Sequence, residues 1–220
     1  MYCIYHSRDL GGWMSAAIVK KWHDEHADDT VSREDLIMIG WDYGNPLPLI
    51  EPGPKVIMVD ISFPKLNMCD INKKNQFIWI DHHISAIKSI DSADILIFGL
   101  RDTKYAACEL TWKYFFPDET MPEVVRLLGR YDCFGHKGTS EEQKVLEFQY
   151  GARANMFDVD TCYNVLKNWT LQLEHSIHVA GYEIYNYLWY NDNGKVDCSV
   201  ICKEFGGGGH AGLPVLFPMI

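Results

Sequence analysis

Apolar residues in the first hundred positions gather in short unbroken runs. Such runs occur at residues 2–5, 35–41, 55–60, 76–81 and 95–100, and each predicts a strand. A run apolar at every position marks a strand covered on both faces, as in a parallel sheet. Between the runs the spacing changes. Residues 13–26 carry Ala, Ile and Val at helical intervals, and residues 66–75 form a shorter helical stretch. Residues 106–116 place Leu110, Tyr114 and Phe115 on one helical face and stop at Pro117. Residues 122–128 read as a helix with Pro122 at its start. Asn45-Pro46-Leu47-Pro48 and Glu51-Pro52-Gly53-Pro54 are turns. Alternating strand and helix predicts an α/β fold: a mostly parallel sheet with flanking helices.

After Asp132 the pattern becomes helical and aromatic-rich, at residues 141–150 and 159–190. A turn follows at Asn191-Asp192-Asn193-Gly194, then a short strand at 196–200 and a run of four glycines. The expected division is residues 1–190 as the main domain and 191–220 as a reduced, glycine-rich C-terminal cap.

The ends of the runs carry the chemistry. Ile78-Trp79-Ile80 ends in Asp81-His82-His83. Cys3-Ile4-Tyr5 runs into His6, Ser7, Arg8 and Asp9, and Val56-Ile57-Met58-Val59 runs into Asp60. Asp132 follows a helical stretch. Parallel strands bring their C-terminal ends to one edge of the sheet, where ligands bind. Carboxylates and imidazoles from four segments predict one dinuclear metal site there.

Bulk composition narrows the function. With 220 residues, 47% of them apolar, the chain can bury a sizeable core. No apolar run reaches membrane-spanning length, and a start inside a strand-like segment predicts no secretory signal. Seven scattered cysteines without a Cys-x-x-Cys pair fit free thiols in a reducing cytoplasm and argue against a zinc knuckle. A net charge of −10 speaks against a chain that wraps long nucleic acid, which needs a basic groove. It permits a small phosphate substrate, because bound divalent ions bring the local positive charge.

In their order along the chain, the His-containing first turn, Asp60, Asp81-His82-His83 and Gly206-Gly207-Gly208-Gly209-His210 resemble the DHH phosphoesterase superfamily, closest to its nano-RNase and cyclic-nucleotide phosphodiesterase-like branch. The resemblance covers nearly the whole chain. It implies two Mn²⁺ ions, with Mg²⁺ as the alternative, and hydrolysis of a short oligonucleotide or cyclic nucleotide. One metal would be held by His6, Asp9 and the bridging Asp60. The second would take Asp60, His82, Asp132 and a first-turn carboxylate. Asp81 would stand behind the ligands and orient an imidazole, and His83 would face the substrate phosphate. Gly207, Gly208, Gly209 and His210 would approach the substrate, where glycine lets backbone amides come close to phosphate.

One position departs from the family. Its first turn reads His, then Asp-x-Asp-Gly, whereas this chain reads His6-Ser7-Arg8-Asp9-Leu10-Gly11-Gly12. Gly11 stands where the second carboxylate belongs. Three readings stand: a substitution introduced to trap substrate, a naturally weakened or inactive enzyme, or a gap filled by water or another acid. The functional alternatives are a phosphoanhydride or phosphomonoester hydrolase and a catalytically dead nucleotide-binding protein.

Other residues carry weaker signals. Arg8, Arg101 and Arg153 are phosphate candidates. His136 reads as a surface-loop histidine, and His175 and His178 as solvent-facing on one helix. Trp41, Trp79, Trp112 and Trp169 read as core.

Overall fold

Four strands with unbroken apolar runs pair side by side in the computed structural model, which describes residues 1–26, 35–92, 95–191, 208–210 and 213–215. They are β1 (Tyr2–His6), β2 (Ile37–Trp41), β3 (Val56–Val59) and β4 (Phe77–Ile80). Their order is β2-β1-β3-β4 and every pairing is parallel. The fold is therefore α/β with a parallel sheet, as the alternation of patterns predicts.

Successive strand residues face opposite sides of a sheet, and each side builds its own core. Cys3, Ile57, Val59, Ile78 and Ile80 pack on one face against α1 (Leu10–His26), α4 (Ala107–Phe115) and α5 (Glu123–Asp132). That core extends into α6 (Glu142–Asn155), α7 (Val159–Lys167) and α8 (Leu171–Asn191). Ile4, Val56, Met58, Phe77 and Trp79 pack on the other face against Met68 and Ile71 of α2 (Lys65–Lys74) and Ile90 of α3 (Ile84–Asp91). Trp41, Trp79 and Trp112 are buried and Trp169 is partly so, in keeping with core roles.

Several elements differ from the sequence expectation. Residues 95–100 do not form a strand; Phe98 bridges Ile78 of β4 in parallel, and Arg101 bridges Asp81 just beyond both segments. Gly99 interrupts the pairing. Its φ of +126° is open to glycine, and a Cβ there would lie 2.0 Å from the Trp79 carbonyl oxygen. The expected helix at 159–190 is two helices, parted by Asn168, Trp169 and Thr170. Asp158 caps the first, its carboxylate accepting from Thr161 N at 2.8 Å. The Leu173 amide donates to Thr170 Oγ1 at the start of the second. Helix α3 lacks a sequence counterpart, and α5 runs on to include Asp132.

In the C-terminal segment, β5 (Gly208–His210) pairs antiparallel with β6 (Leu213–Val215). The strand expected at 196–200, Gly206 and Gly207 lie outside the described residues. Among the described residues no helix is long and apolar enough to cross a membrane.

Candidate metal centre

The chain leaves β1 at His6 and turns directly into α1. Asp9 caps that helix: its Oδ1 accepts from the Gly12 amide at 2.9 Å, and its carbonyl accepts from the Trp13 amide at 3.1 Å. The turn requires glycine at position 12, because a Cβ there would stand 2.0 Å from the His6 carbonyl oxygen. His6 and Asp9 are thereby placed on one side of the sheet edge, with His6 Nδ1 2.9 Å from Asp9 Oδ2.

Asp60 follows β3 and lies at the centre. It is 2% exposed and adopts a left-handed backbone with φ +59°. That conformation is uncommon outside glycine, and aspartate and asparagine are among the residues that adopt it most readily. From the next strand, Asp81 is fully buried; its Oδ1 accepts from the His82 amide at 2.7 Å, the His83 amide at 3.2 Å and His83 Nδ1 at 2.7 Å. His82 Nε2 stands 3.3 Å from Asp60 Oδ1 and 3.4 Å from Asp132 Oδ2, the latter delivered by the last turn of α5.

These spacings match a ligand set. Ligand atoms held about 2.1 Å from an octahedral ion lie about 3.0 Å from each neighbour. His6 Nδ1 and Asp60 Oδ1 are buried atoms with no hydrogen-bond partner, although acidic and imidazole neighbours crowd them. Buried polar atoms are rarely left so. Two groups offer ligand atoms all within 4.8 Å of one another: His6, Asp9 and Asp60, and Asp60, His82 and His83. Asp60 belongs to both. Carboxylate and imidazole donors of this kind could hold a divalent metal ion.

Electrostatics favours a cation in the same place. Burial pushes the Asp60 carboxyl well above the usual range, and Asp9, Asp132 and Asp81 push it further. Burial also raises Asp132, against the pull of His82. The imidazoles answer these acids. Burial opposes the charge on His6, but Asp9 and Asp60 overcome it and raise its pKa to about 9. His82 is raised against burial by Cys133 and Asp132, and His83 chiefly by its hydrogen bond to Asp81. Desolvation would raise Asp9 too, yet the His6 ring and the Gly12 amide hold it below the usual range. Binding a divalent ion would displace imidazole protons from such a cluster.

The five expected ligands, His6, Asp9, Asp60, His82 and Asp132, thus meet at one edge. The His83 ring, expected to face substrate, also lies within ligand range. Asp81 orients that ring. At Gly11 an added Cβ would lie 3.0 Å from Asp60 Oδ2, 3.5 Å from Asp132 Oδ2 and 3.5 Å from Asp9 Oδ1. The position opens directly into the carboxylate cluster.

Other expected residues fare differently. The Arg101 guanidinium donates to the carbonyls of Trp79 at 3.0 Å and Ile97 at 2.9 Å, so it ties the 95–100 segment to β4. Arg8 pairs with Asp42 at 3.3 Å. Arg153 lies over the Tyr131 ring, one residue from Asp132. His136 is buried rather than on the surface, stacked on Tyr131 and bonded to the Arg130 carbonyl. His175 is exposed, whereas His178 is partly buried beside Glu174. The backbone of Gly208, Gly209 and His210 forms β5.

Two neighbours of the site were not anticipated. Asp42 directly follows β2, and its Oδ1 lies 3.3 Å from His6 Nε2. It directly follows its strand as Asp60 and Asp81 follow theirs, a signal present in the sequence. Cys133 Sγ lies 3.8 Å from His82 Nδ1, a contact that no local pattern announces.

No family model matches the chain. Uncharacterized protein R106 of Acanthamoeba polyphaga mimivirus is 35% identical over 85 residues, 37% of this chain and 20% of that protein. The chain thus spans about a fifth of the length of this viral relative. A crystal structure of an uncharacterized protein from Helicobacter pylori G27 superposes with a TM-score of 0.47 at 12% identity, covering 83% of this chain and 61% of that one.

Proposed function

We propose that the chain is a metal-dependent phosphodiester hydrolase of the DHH type, acting on short oligonucleotides or cyclic nucleotides and weakened at Gly11. The observation that carries this reading is Asp60. It is a buried, left-handed carboxylate shared by two ligand groups, and its Oδ1 has no hydrogen-bond partner.

His6, Asp9 and Asp60 would hold one ion; Asp60, His82 and Asp132 would hold a second, with His83 within reach of it. Two such ions stabilise charge on the entering and leaving oxygens of an in-line phosphoryl displacement. His83, held through Nδ1 by Asp81, would donate from Nε2 to the substrate phosphate in its protonated form, which the hydrogen bond to Asp81 favours. Gly207, Gly208, Gly209 and His210 would contact the nucleotide. The acidic surface favours a short substrate over long nucleic acid. Five free cysteines among the described residues suit a reducing compartment such as the cytoplasm.

A second reading, a nucleotide-binding protein without turnover, rests on Gly11. The second ion lacks its first-turn carboxylate there, and loss of one ligand harms turnover more than ground-state binding. One assay separates the readings. Chelator-treated protein and its Gly11→Asp variant are incubated with Mn²⁺ and a dinucleotide, a cyclic nucleotide or polyphosphate, and products are resolved by chromatography. The phosphodiesterase reading expects Gly11→Asp to raise hydrolysis of the first two by ~10²–10⁴-fold, about 3–5.5 kcal/mol of transition-state stabilisation. Hydrolysis confined to polyphosphate would replace it with phosphoanhydride chemistry. Tight nucleotide binding with no turnover in either form would establish the binder.

A further inference from the structure

We infer that Asp42 is a positioning residue for the metal centre: it fixes the His6 ring so that Nδ1 is presented to the ion. The inference rests on the metal-binding part of the proposed function and extends it to a residue outside the ligand set.

The geometry comes from three contacts. His6 Nε2 and Asp42 Oδ1 are 3.3 Å apart. The same oxygen accepts from the Tyr43 amide at 2.8 Å, which anchors the carboxylate to its own backbone. Asp42 Oδ2 faces Arg8 Nε at 3.3 Å. The carboxylate is therefore held on both oxygens, and its side chain is only 25% exposed. On the opposite side of the ring, His6 Nδ1 is a buried atom without a hydrogen-bond partner, 2.9 Å from Asp9 Oδ2. One ring nitrogen is tied down and the other faces the acids.

A neutral imidazole carries one proton and one bare nitrogen. A carboxylate at Nε2 accepts the proton there and leaves Nδ1 bare for the metal. Ligating histidines commonly carry such a partner, which fixes the tautomer and raises ligand basicity. His83 shows the same device with Asp81 on its Nδ1. Strand pairing sets the His6–Asp42 match: β1 and β2 run parallel with His6 opposite Trp41, so the next residue of β2 reaches the His6 ring. All four strands of the parallel sheet thus deliver a group to this edge.

The test measures Mn²⁺ binding by calorimetry, with far-UV circular dichroism to confirm folding, in the wild type, Asp42→Ala and Asp42→Asn. The His6 tautomer is read from long-range ¹H–¹⁵N NMR correlations in the Zn²⁺-loaded forms, since Zn²⁺ is diamagnetic. Asp42→Ala should weaken the site of His6, Asp9 and Asp60 by about 10–100-fold. Asp42→Asn keeps an acceptor oxygen, so it should recover part of that loss and retain the proton on Nε2. A folded Asp42→Ala protein with wild-type affinity, or a wild type carrying the His6 proton on Nδ1, would overturn the role of Asp42 and leave the metal centre standing. A wild type that binds neither ion would overturn both. Metal binding with the expected losses but without phosphodiester hydrolysis would sink only the enzymatic reading.

Discussion

Gly11 stands against Asp60: a side-chain carbon added to the glycine would lie 3.0 Å from Asp60 Oδ2. Asp132 and Asp9 oxygens are each 3.5 Å from the same point. A carboxylate at position 11 would therefore join three others. Without a cation, like charges so close oppose folding, by on the order of 1–3 kcal/mol once protonation relieves part of the repulsion. With the ion bound the same carboxylate becomes a ligand. Gly11→Asp should thus lower the thermal midpoint of chelator-treated protein and raise it above wild type in saturating Mn²⁺. A variant equally stable in both conditions would place the new side chain outside the metal centre.

Asp60 is shared by both ligand groups, so Asp60→Asn should remove binding of both ions together. The fold should survive, because asparagine tolerates the left-handed backbone that Asp60 adopts at φ +59°. In metal-free protein the variant should match or exceed wild-type stability, since it relieves a buried carboxyl crowded by Asp9, Asp132 and Asp81. Calorimetry that still finds one full-affinity Mn²⁺ site would show that the two positions do not share Asp60.

The β1–α1 turn depends on Gly12. A methyl group there would press into the His6 carbonyl, 2.0 Å away, and only a backbone shift would relieve it. Gly12→Ala should cost about 3–5 kcal/mol, in the range of severe single substitutions. Urea denaturation of metal-free protein measures it. A loss under about 1 kcal/mol would mean that the turn can open without harm.

Acid stability should depend on Glu123. Arg126 donates to its oxygens at 2.6 and 2.7 Å, and Lys144 at 3.0 Å. Its pKa falls from the ordinary 4.5 to about 2, chiefly through Arg126. A lowered folded-state pKa adds stability that is fully present above pH 4.5 and disappears as pH falls toward 2. The pair is partly exposed, so solvent screening limits the effect to about 1 kcal/mol. Glu123→Gln should trail wild type by that amount at pH 7 and converge with it near pH 2. A constant gap across that range would assign the loss to packing rather than charge.

The sequence by itself determined the α/β class, four of the strands and five of the residues that meet at the sheet edge. For β3 and β4 the signal is local: an unbroken apolar run marks a strand buried on both faces, and the polar residue ending it lies at the sheet edge wherever the neighbours are. Asp60 and Asp81-His82-His83 are legible for that reason. Only the tertiary structure decided what each side chain meets. Asp42 ends a predicted strand like the others, but its match to His6 exists only once β1 and β2 pair in register. Residues 95–100 have the composition of a strand, yet the left-handed Gly99 interrupts them and leaves one bridge to β4, Ile78 with Phe98. His136 has nothing in its flanking residues to bury it; the stack on Tyr131 and the Arg130 carbonyl do so. Gly11 read as a missing ligand on the strength of a motif. That its Cα faces Asp60, Asp132 and Asp9 follows from how α1, β3 and α5 converge, and long-range packing rather than hydrophobic period sets that convergence.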